Sequence, residues 1–214
     1  MTGLVLHDFE LDEGCYKVRL LLAALHVPHL RSAVNMVPGG EQTRPPLLLL
    51  NPLGTLPILE DGAGDDTVVL RDAEAILAYL AVRYDAARRW LPDEPKAFGQ
   101  VMMWMTFASR DLHAAVLARR HAMFEEIVDG AAMTSAARRA FRVMDDHMTM
   151  RRLDGDVWFV GKGPTLADLA LFPSFALSRD FSIDHEAYPA LRRWMRRVRS
   201  IPGFTTMPGI PDYH

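Results

Sequence analysis

The chain has 214 residues, 50% of them hydrophobic and 24% charged, a balance ordinary for a globular protein and long enough for one large domain or two small ones. A formal net charge of −3 argues against a dedicated nucleic-acid binder, and no run of eighteen apolar residues is available to cross a membrane. The acidic-leaning start, MTGLVLHDFE, does not read as a signal peptide. The lone cysteine, Cys15, excludes an internal disulfide and a cysteine-rich metal site, so the expected address is a reducing cytoplasm.

Taken in order, Gly3 to His7 reads as a short buried strand through Leu4, Val5 and Leu6. Residues 15–26 set Val18, Leu21, Leu22 and Leu25 on one helical face, closed by Pro28. Arg31 to Val37 reads as a second strand, ended by Pro38-Gly39-Gly40. Gln42 to Leu50 predicts a short, irregular helix limited by Pro45 and Pro46. Leu56 to Glu60 and Thr67 to Leu70 predict two strands joined by the acidic turn 61–66. Asp72 then opens a helix with Ala73, Ile76, Leu77 and Leu80 on one face. The order is β-α-β-α-β-β-α: a parallel pair with a crossover, closed by an antiparallel hairpin.

Residues 86–95, ARRWLPDEPK, read as a linker, and everything beyond reads as helix. Val101, Met105, Ala108, Leu112 and Val116 keep helical spacing as though on one long helix. Further helices are expected over 134–153, 165–178 and 186–200. Residues 1–85 carry six Lys/Arg against twelve Asp/Glu, and residues 86–214 carry eighteen against fifteen. That asymmetry fits two domains, 1–85 and 96–214, or a charge-paired interface between copies of the chain.

Four stretches together resemble the glutathione S-transferase family: Gly14-Cys-Tyr-Lys-Val-Arg-Leu20, Asn51-Pro-Leu-Gly-Thr-Leu-Pro-Ile-Leu-Glu60, Asp72-Ala-Glu-Ala-Ile-Leu-Ala-Tyr-Leu80 and Gly163-Pro-Thr-Leu-Ala-Asp-Leu-Ala-Leu-Phe-Pro173. Tyr188-Pro-Ala-Leu-Arg-Arg-Trp194 and Ile201-Pro-Gly-Phe204 continue the match. The resemblance implies a thioredoxin-like N-terminal domain followed by an all-α helical bundle, glutathione as co-substrate, a small, electrophilic, apolar second substrate, and a homodimer. It implies no metal, and the eight histidines show no ligand spacing such as H-E-x-x-H.

The resemblance also implies site residues. X-Pro bonds are cis in only about 5–6% of cases, but the family's proline at the position of Pro57 is cis, and it turns the backbone of Leu56 outward to pair with the cysteinyl part of glutathione. Asp72 and the N–H of Ala73 stand where the γ-glutamyl end is held; Ala73 replaces the usual serine. Gln42 and Arg44 lie where the glycyl end is contacted. Cys15, at a helix start, has two readings: a reactive thiol favoured by the helix amides, or a buried core thiol, with Asp12 and Glu13 opposing ionisation. Tyr16 is the second candidate for holding a thiolate. The usual Ser-Gly-Asn lead-in is here Asp12-Glu13-Gly14, which removes the serine hydroxyl. Met103, Phe107 and Arg110 are expected to line a second-substrate pocket between the domains. A non-catalytic binding or scaffold protein that keeps the fold is the alternative function. Thr165 and Asp168 form a capping box with no catalytic role.

Overall fold

The computed structural model describes residues 3–211. Its first part is a four-stranded sheet of order β2-β1-β3-β4, built from β1 (Leu4–Asp8), β2 (Leu30–Ala33), β3 (Ile58–Asp61) and β4 (Val68–Arg71). β1 runs parallel to β2, and β3 is antiparallel to both β1 and β4, with Leu6 opposite Leu59 and Leu59 opposite Leu70. The expected mixed sheet is therefore present. β2 is shorter than the sequence suggests: β1 ends at Asp8, whose carbonyl accepts from Val34 N–H at 2.8 Å, and beyond that point there is no strand left to pair with.

Helices α1 (Glu13–Ala24) and α3 (Ala73–Tyr84) pack together, and the segment between β2 and β3 carries a 3-10 turn at Glu41–Thr43 and the one-turn α2 (Leu47–Leu50). Pro45-Pro46 separates those two pieces, since proline cannot donate to a continuing helix.

The helical part comprises α4 (Pro95–Arg110), α5 (His113–Phe124), α6 (Gly130–Leu153), α7 (Leu166–Ala176) and α8 (Pro189–Arg199). One expectation is corrected: the stripe from Val101 to Val116 lies on two helices, not one. The Phe107 carbonyl accepts from both Asp111 N–H (2.8 Å) and Leu112 N–H (3.1 Å), which ends the regular ladder. Leu112 stays fully buried, so the apolar spacing runs on across the break. α8 also starts later than expected, because Pro189 takes its first position and a 3-10 turn (His185–Ala187) precedes it.

Helix α7 is buried along its whole length and touches α1, α3, α4 and α8. Its capping box forms as the sequence indicates, with Thr165 N–H donating to Asp168 Oδ2 at 2.9 Å. Asp168 also accepts from Trp194 Nε1 (2.8 Å) and Phe159 N–H (3.2 Å); even so, complete burial raises its carboxyl to about 6. One apolar core runs through both parts of the chain, and Glu13 of α1 accepts from Ser174 Oγ of α7 at 3.0 Å inside it.

Candidate active site

Three turns converge at the start of α1. Asp12 caps that helix, its Oδ1 accepting from Cys15 N–H at 2.8 Å. A Cβ placed on Gly14 would lie 3.0 Å from Pro57 Cδ, 3.1 Å from Asp12 Oδ1 and 3.5 Å from Ala73 Cβ. Glycine here lets the first turn of α1 close against both the Pro57 turn and the start of α3. Three motifs scattered over sixty residues of sequence thus share one spot.

The Leu56–Pro57 peptide is cis. Leu56 lies just outside β3, so its backbone N–H and C=O are not part of the sheet ladder. The turn before it is built by buried Asn51, whose Nδ2 donates to the Thr55 carbonyl (2.8 Å) and Oγ1 (2.9 Å) and whose Oδ1 accepts from Leu53 N–H (3.1 Å). Gly54, at φ 62°, is approached by Thr43, which seats the 41–43 turn beside the segment leading to Leu56. Gln42 is carried there, and its Oε1 is buried without a hydrogen-bond partner among the described residues. A buried acceptor left unpaired costs about 1–3 kcal/mol, which marks Gln42 as a place where a ligand donor fits. Arg44 sits beside it, exposed.

Asp72 caps α3, its Oδ1 accepting from Ala75 N–H at 3.0 Å. Its backbone holds φ 89°, ψ 124°, a conformation that L-residues avoid at a cost of about 1–3 kcal/mol. Such outliers cluster where a ligand must be held. Ala73 is buried in the first turn, where the helix start offers free N–H groups to an anion. Lys17 and Glu74 tie α1 to this turn through a buried 2.7 Å ion pair. Burial pulls the Lys17 ammonium down, but the Glu74, Glu13 and Asp12 carboxylates together outweigh it and the net shift is upward. Sequence reading missed this pair, whose partners lie 57 residues apart; a lysine one turn before the apolar Leu20 and Leu21 was the available signal.

Cys15 and Tyr16 face inward. The Cys15 thiol is fully buried, and its Sγ accepts from Phe9 N–H at 3.5 Å. Burial, then the Asp12 and Asp8 carboxylates, push its pKa well above the ordinary thiol value, the reverse of what a nucleophile needs. Tyr16 is also fully buried; its hydroxyl donates to the Thr205 carbonyl at 2.7 Å, its ring meets Phe172, and burial holds the phenol strongly protonated.

Met103, Phe107 and Arg110 do come together, in a groove of about 530 Å³ shared with Val143 and His147 of α6. No residue of 1–85 lines that groove, so it is not between the two parts of the chain. The helix that faces the β1–α1 loop is α5: Arg119, almost fully buried, donates from Nη1 to the Leu11 carbonyl at 2.7 Å and pairs with Asp180 at 2.7 Å. Phe9 and Phe124 meet across the same junction, with ring centroids 6.1 Å apart. The break after Arg110 is what turns α5 toward this loop. Among the described residues, no group of three or more His, Cys, Asp or Glu is placed to hold a metal ion, and no helix is long and apolar enough to cross a membrane.

Comparison with known proteins matches both parts of the chain. Residues 15–83 match the glutathione S-transferase N-terminal domain family and residues 132–202 the glutathione S-transferase C-terminal domain family. The glutathione S-transferase GstB of Escherichia coli K12 is 25% identical over 201 residues, covering 91% of this chain and 92% of that protein. A maleylacetoacetate isomerase of Pseudomonas aeruginosa is 28% identical over 207 residues, covering 93% and 92%. Among solved structures, a glutathione S-transferase from Xanthobacter autotrophicus Py2 superposes with a TM-score of 0.83 at 25% identity, covering 97% of this chain and 98% of that one.

Proposed function

The chain belongs to the glutathione S-transferase family, and from that premise we propose that it binds glutathione where α1, the Pro57 turn and α3 meet, and transfers it to a small electrophile. The observation that carries this reading is the convergence of Asp12, Pro57 and Ala73 on Gly14, with the backbone outlier at Asp72 beside it. Leu56 offers unladdered backbone groups to a peptide-like ligand. Asp72 takes the γ-glutamyl ammonium, and the Ala73 N–H and the start of α3 take its carboxylate. Gln42 Oε1 accepts from the glycyl amide, and Arg44 pairs with the glycyl carboxylate.

Bound glutathione supplies the thiolate that attacks the electrophile. The chain's own part is to hold the tripeptide and to present the amides at the start of α1. Cys15 and Tyr16 act on this reading as core residues. The second substrate lies against the β1–α1 loop and α5, not in the groove of Met103, Phe107 and Arg110; that groove, with Met103 56% and Val143 52% exposed, serves a homodimer contact.

Asp12 favours a second reading, in which the chain binds glutathione without turnover. It stands at the helix start in place of the serine of the family's usual lead-in, and a carboxylate there repels a thiolate that a hydroxyl would stabilise. One experiment separates the two: calorimetry with glutathione, run beside a spectrophotometric assay with a panel of aryl halides, epoxides and disulfides. Binding with glutathione-dependent turnover supports the transferase. Binding without turnover on every electrophile supports the second reading, and absence of binding removes both.

A further inference from the structure

Between the last turns of α6 and the body of α8 lies a small cavity of about 90 Å³, and no residue of 1–85 lines it. That is about three times the roughly 30 Å³ a water takes in the liquid, and well short of the roughly 300–1,000 Å³ of a site for an organic molecule. Its floor is apolar and buried, made by Met148 of α6 and Trp194 of α8. The two helices are fixed to each other: buried Asp145 of α6 accepts at Oδ1 from Ala190 N–H (2.8 Å) and Leu191 N–H (2.9 Å) at the start of α8. Trp194 is held in turn through Nε1 by Asp168.

The rim of this cavity carries three arginines. Arg152 comes from the last turn of α6, and Arg193 and Arg197 lie one turn apart on α8. All three are exposed, and none makes an ion pair or a side-chain hydrogen bond among the described residues. Neighbouring arginines differ in this: Arg142 pairs with Asp145, Arg151 with Asp156 and Arg192 with Glu186. The one acidic residue lining the cavity, Asp156, is already neutralised by Arg151 at 2.9 Å and by Lys162. A cation in the last turn of a helix complements the helix dipole, which accounts for Arg152 and Arg197 singly. It does not account for Arg193, in the middle of α8, nor for like charges at i and i+4, which disfavour a helix. Three guanidinium forks above an uncharged floor, with no counter-charge of their own, suit a tetrahedral dianion that offers oxygens in several directions. A planar, singly charged carboxylate satisfies one such fork and leaves the others unmatched.

We propose that Arg152, Arg193 and Arg197 form a binding site for a phosphate or sulfate group, independent of the glutathione cleft. The cavity takes the group itself, so the body of any larger molecule that carries it lies outside, over the exposed rim.

The test is calorimetry on the intact protein at fixed ionic strength, with inorganic phosphate as the probe and acetate as the planar comparison. Arg193→Gln and Arg152→Gln each remove one fork from the rim. Arg196→Gln removes the same charge from α8 at an exposed position outside the cavity. The expected result is one phosphate bound per chain, weakened about tenfold or more by Arg193→Gln and by Arg152→Gln, and little changed by Arg196→Gln. Acetate binds far more weakly, and the affinity for glutathione is the same in all three variants. Phenyl phosphate and vesicles of phosphatidylcholine with and without phosphatidate then assign the source. Tighter binding of phenyl phosphate than of inorganic phosphate points to a soluble ester, phosphatidate-dependent vesicle binding lost in Arg193→Gln points to a lipid headgroup, and neither leaves the free ion. Absence of phosphate binding, equal weakening by Arg196→Gln, or acetate bound as tightly as phosphate overturns the proposal. Arg152→Gln, on the other helix, decides the matter if Arg193→Gln does not fold.

Discussion

Replacing Asp72 with asparagine separates the two roles that this residue holds. As the cap of α3, it accepts from Ala75 N–H at 3.0 Å. Asparagine caps equally well and tolerates positive φ better than most residues, so the folded state changes by no more than about 0.5 kcal/mol. As a ligand group, the carboxylate makes a charge-assisted hydrogen bond to the γ-glutamyl ammonium, worth about 1.5–3 kcal/mol. At about 1.4 kcal/mol per tenfold, Asp72→Asn weakens glutathione by roughly 10- to 150-fold. Asp72→Ala loses the cap as well and places alanine at φ 89°, so it also lowers stability by about 1 kcal/mol or more. Calorimetry gives the dissociation constants and thermal melting gives the stabilities. An unchanged dissociation constant for Asp72→Asn refutes the placement of the γ-glutamyl end; a large drop in its melting temperature refutes the separation of roles.

Iodoacetamide reacts with Cys15 in the folded protein at least about a hundredfold more slowly than in denaturant, because labelling waits for local opening; mass spectrometry follows it, and fast labelling of the native state contradicts the buried-thiol assignment. Tyr16→Phe loses the bond to Thr205 and costs about 0.5–1.5 kcal/mol of stability, with turnover unaltered; a steep fall in kcat at full stability returns the phenol to the site. Burial lowers the His185 imidazole to about 4. The unfolded chain therefore takes up that proton first, and His185's share of stability is present above about pH 6.5 and is lost as pH falls toward 4. His185→Gln flattens that part of the melting-temperature curve, and an unchanged slope contradicts the assignment. Light scattering reports a particle of twice the 24.1 kDa chain; Met103→Glu in the exposed α4–α6 groove shifts it to monomer, and a monomeric wild type removes the dimer proposal.

Local pattern carried much of the fold. The hairpin of β3 and β4 was legible because a Gly- and Asp-rich turn separates two short apolar runs, and the capping box of α7 because its partners lie three residues apart. What stayed hidden depends on distant neighbours. The break between α4 and α5 contains neither glycine nor proline, and Leu112 keeps the apolar stripe intact across it. Tyr16 turns inward because its acceptor lies 189 residues further along the chain. Cys15 is buried under Phe9 and beside Asp8, and no helix-start argument could register either. Helical spacing places Met103 and Phe107 on one face but cannot say that α6, and not the N-terminal sheet, adjoins it. Gln42, Pro57, Asp72 and Ala73 were legible as a set only through the resemblance to a family, since no periodicity links them.

A crystal structure of the protein grown with glutathione tests the central claim most directly. The account predicts the cysteinyl backbone paired with Leu56, the γ-glutamyl end at Asp72 and the start of α3, and the thiol at the first turn of α1, with Cys15 still buried behind it. Glutathione bound elsewhere on the chain, or joined to Cys15 as a mixed disulfide, contradicts it.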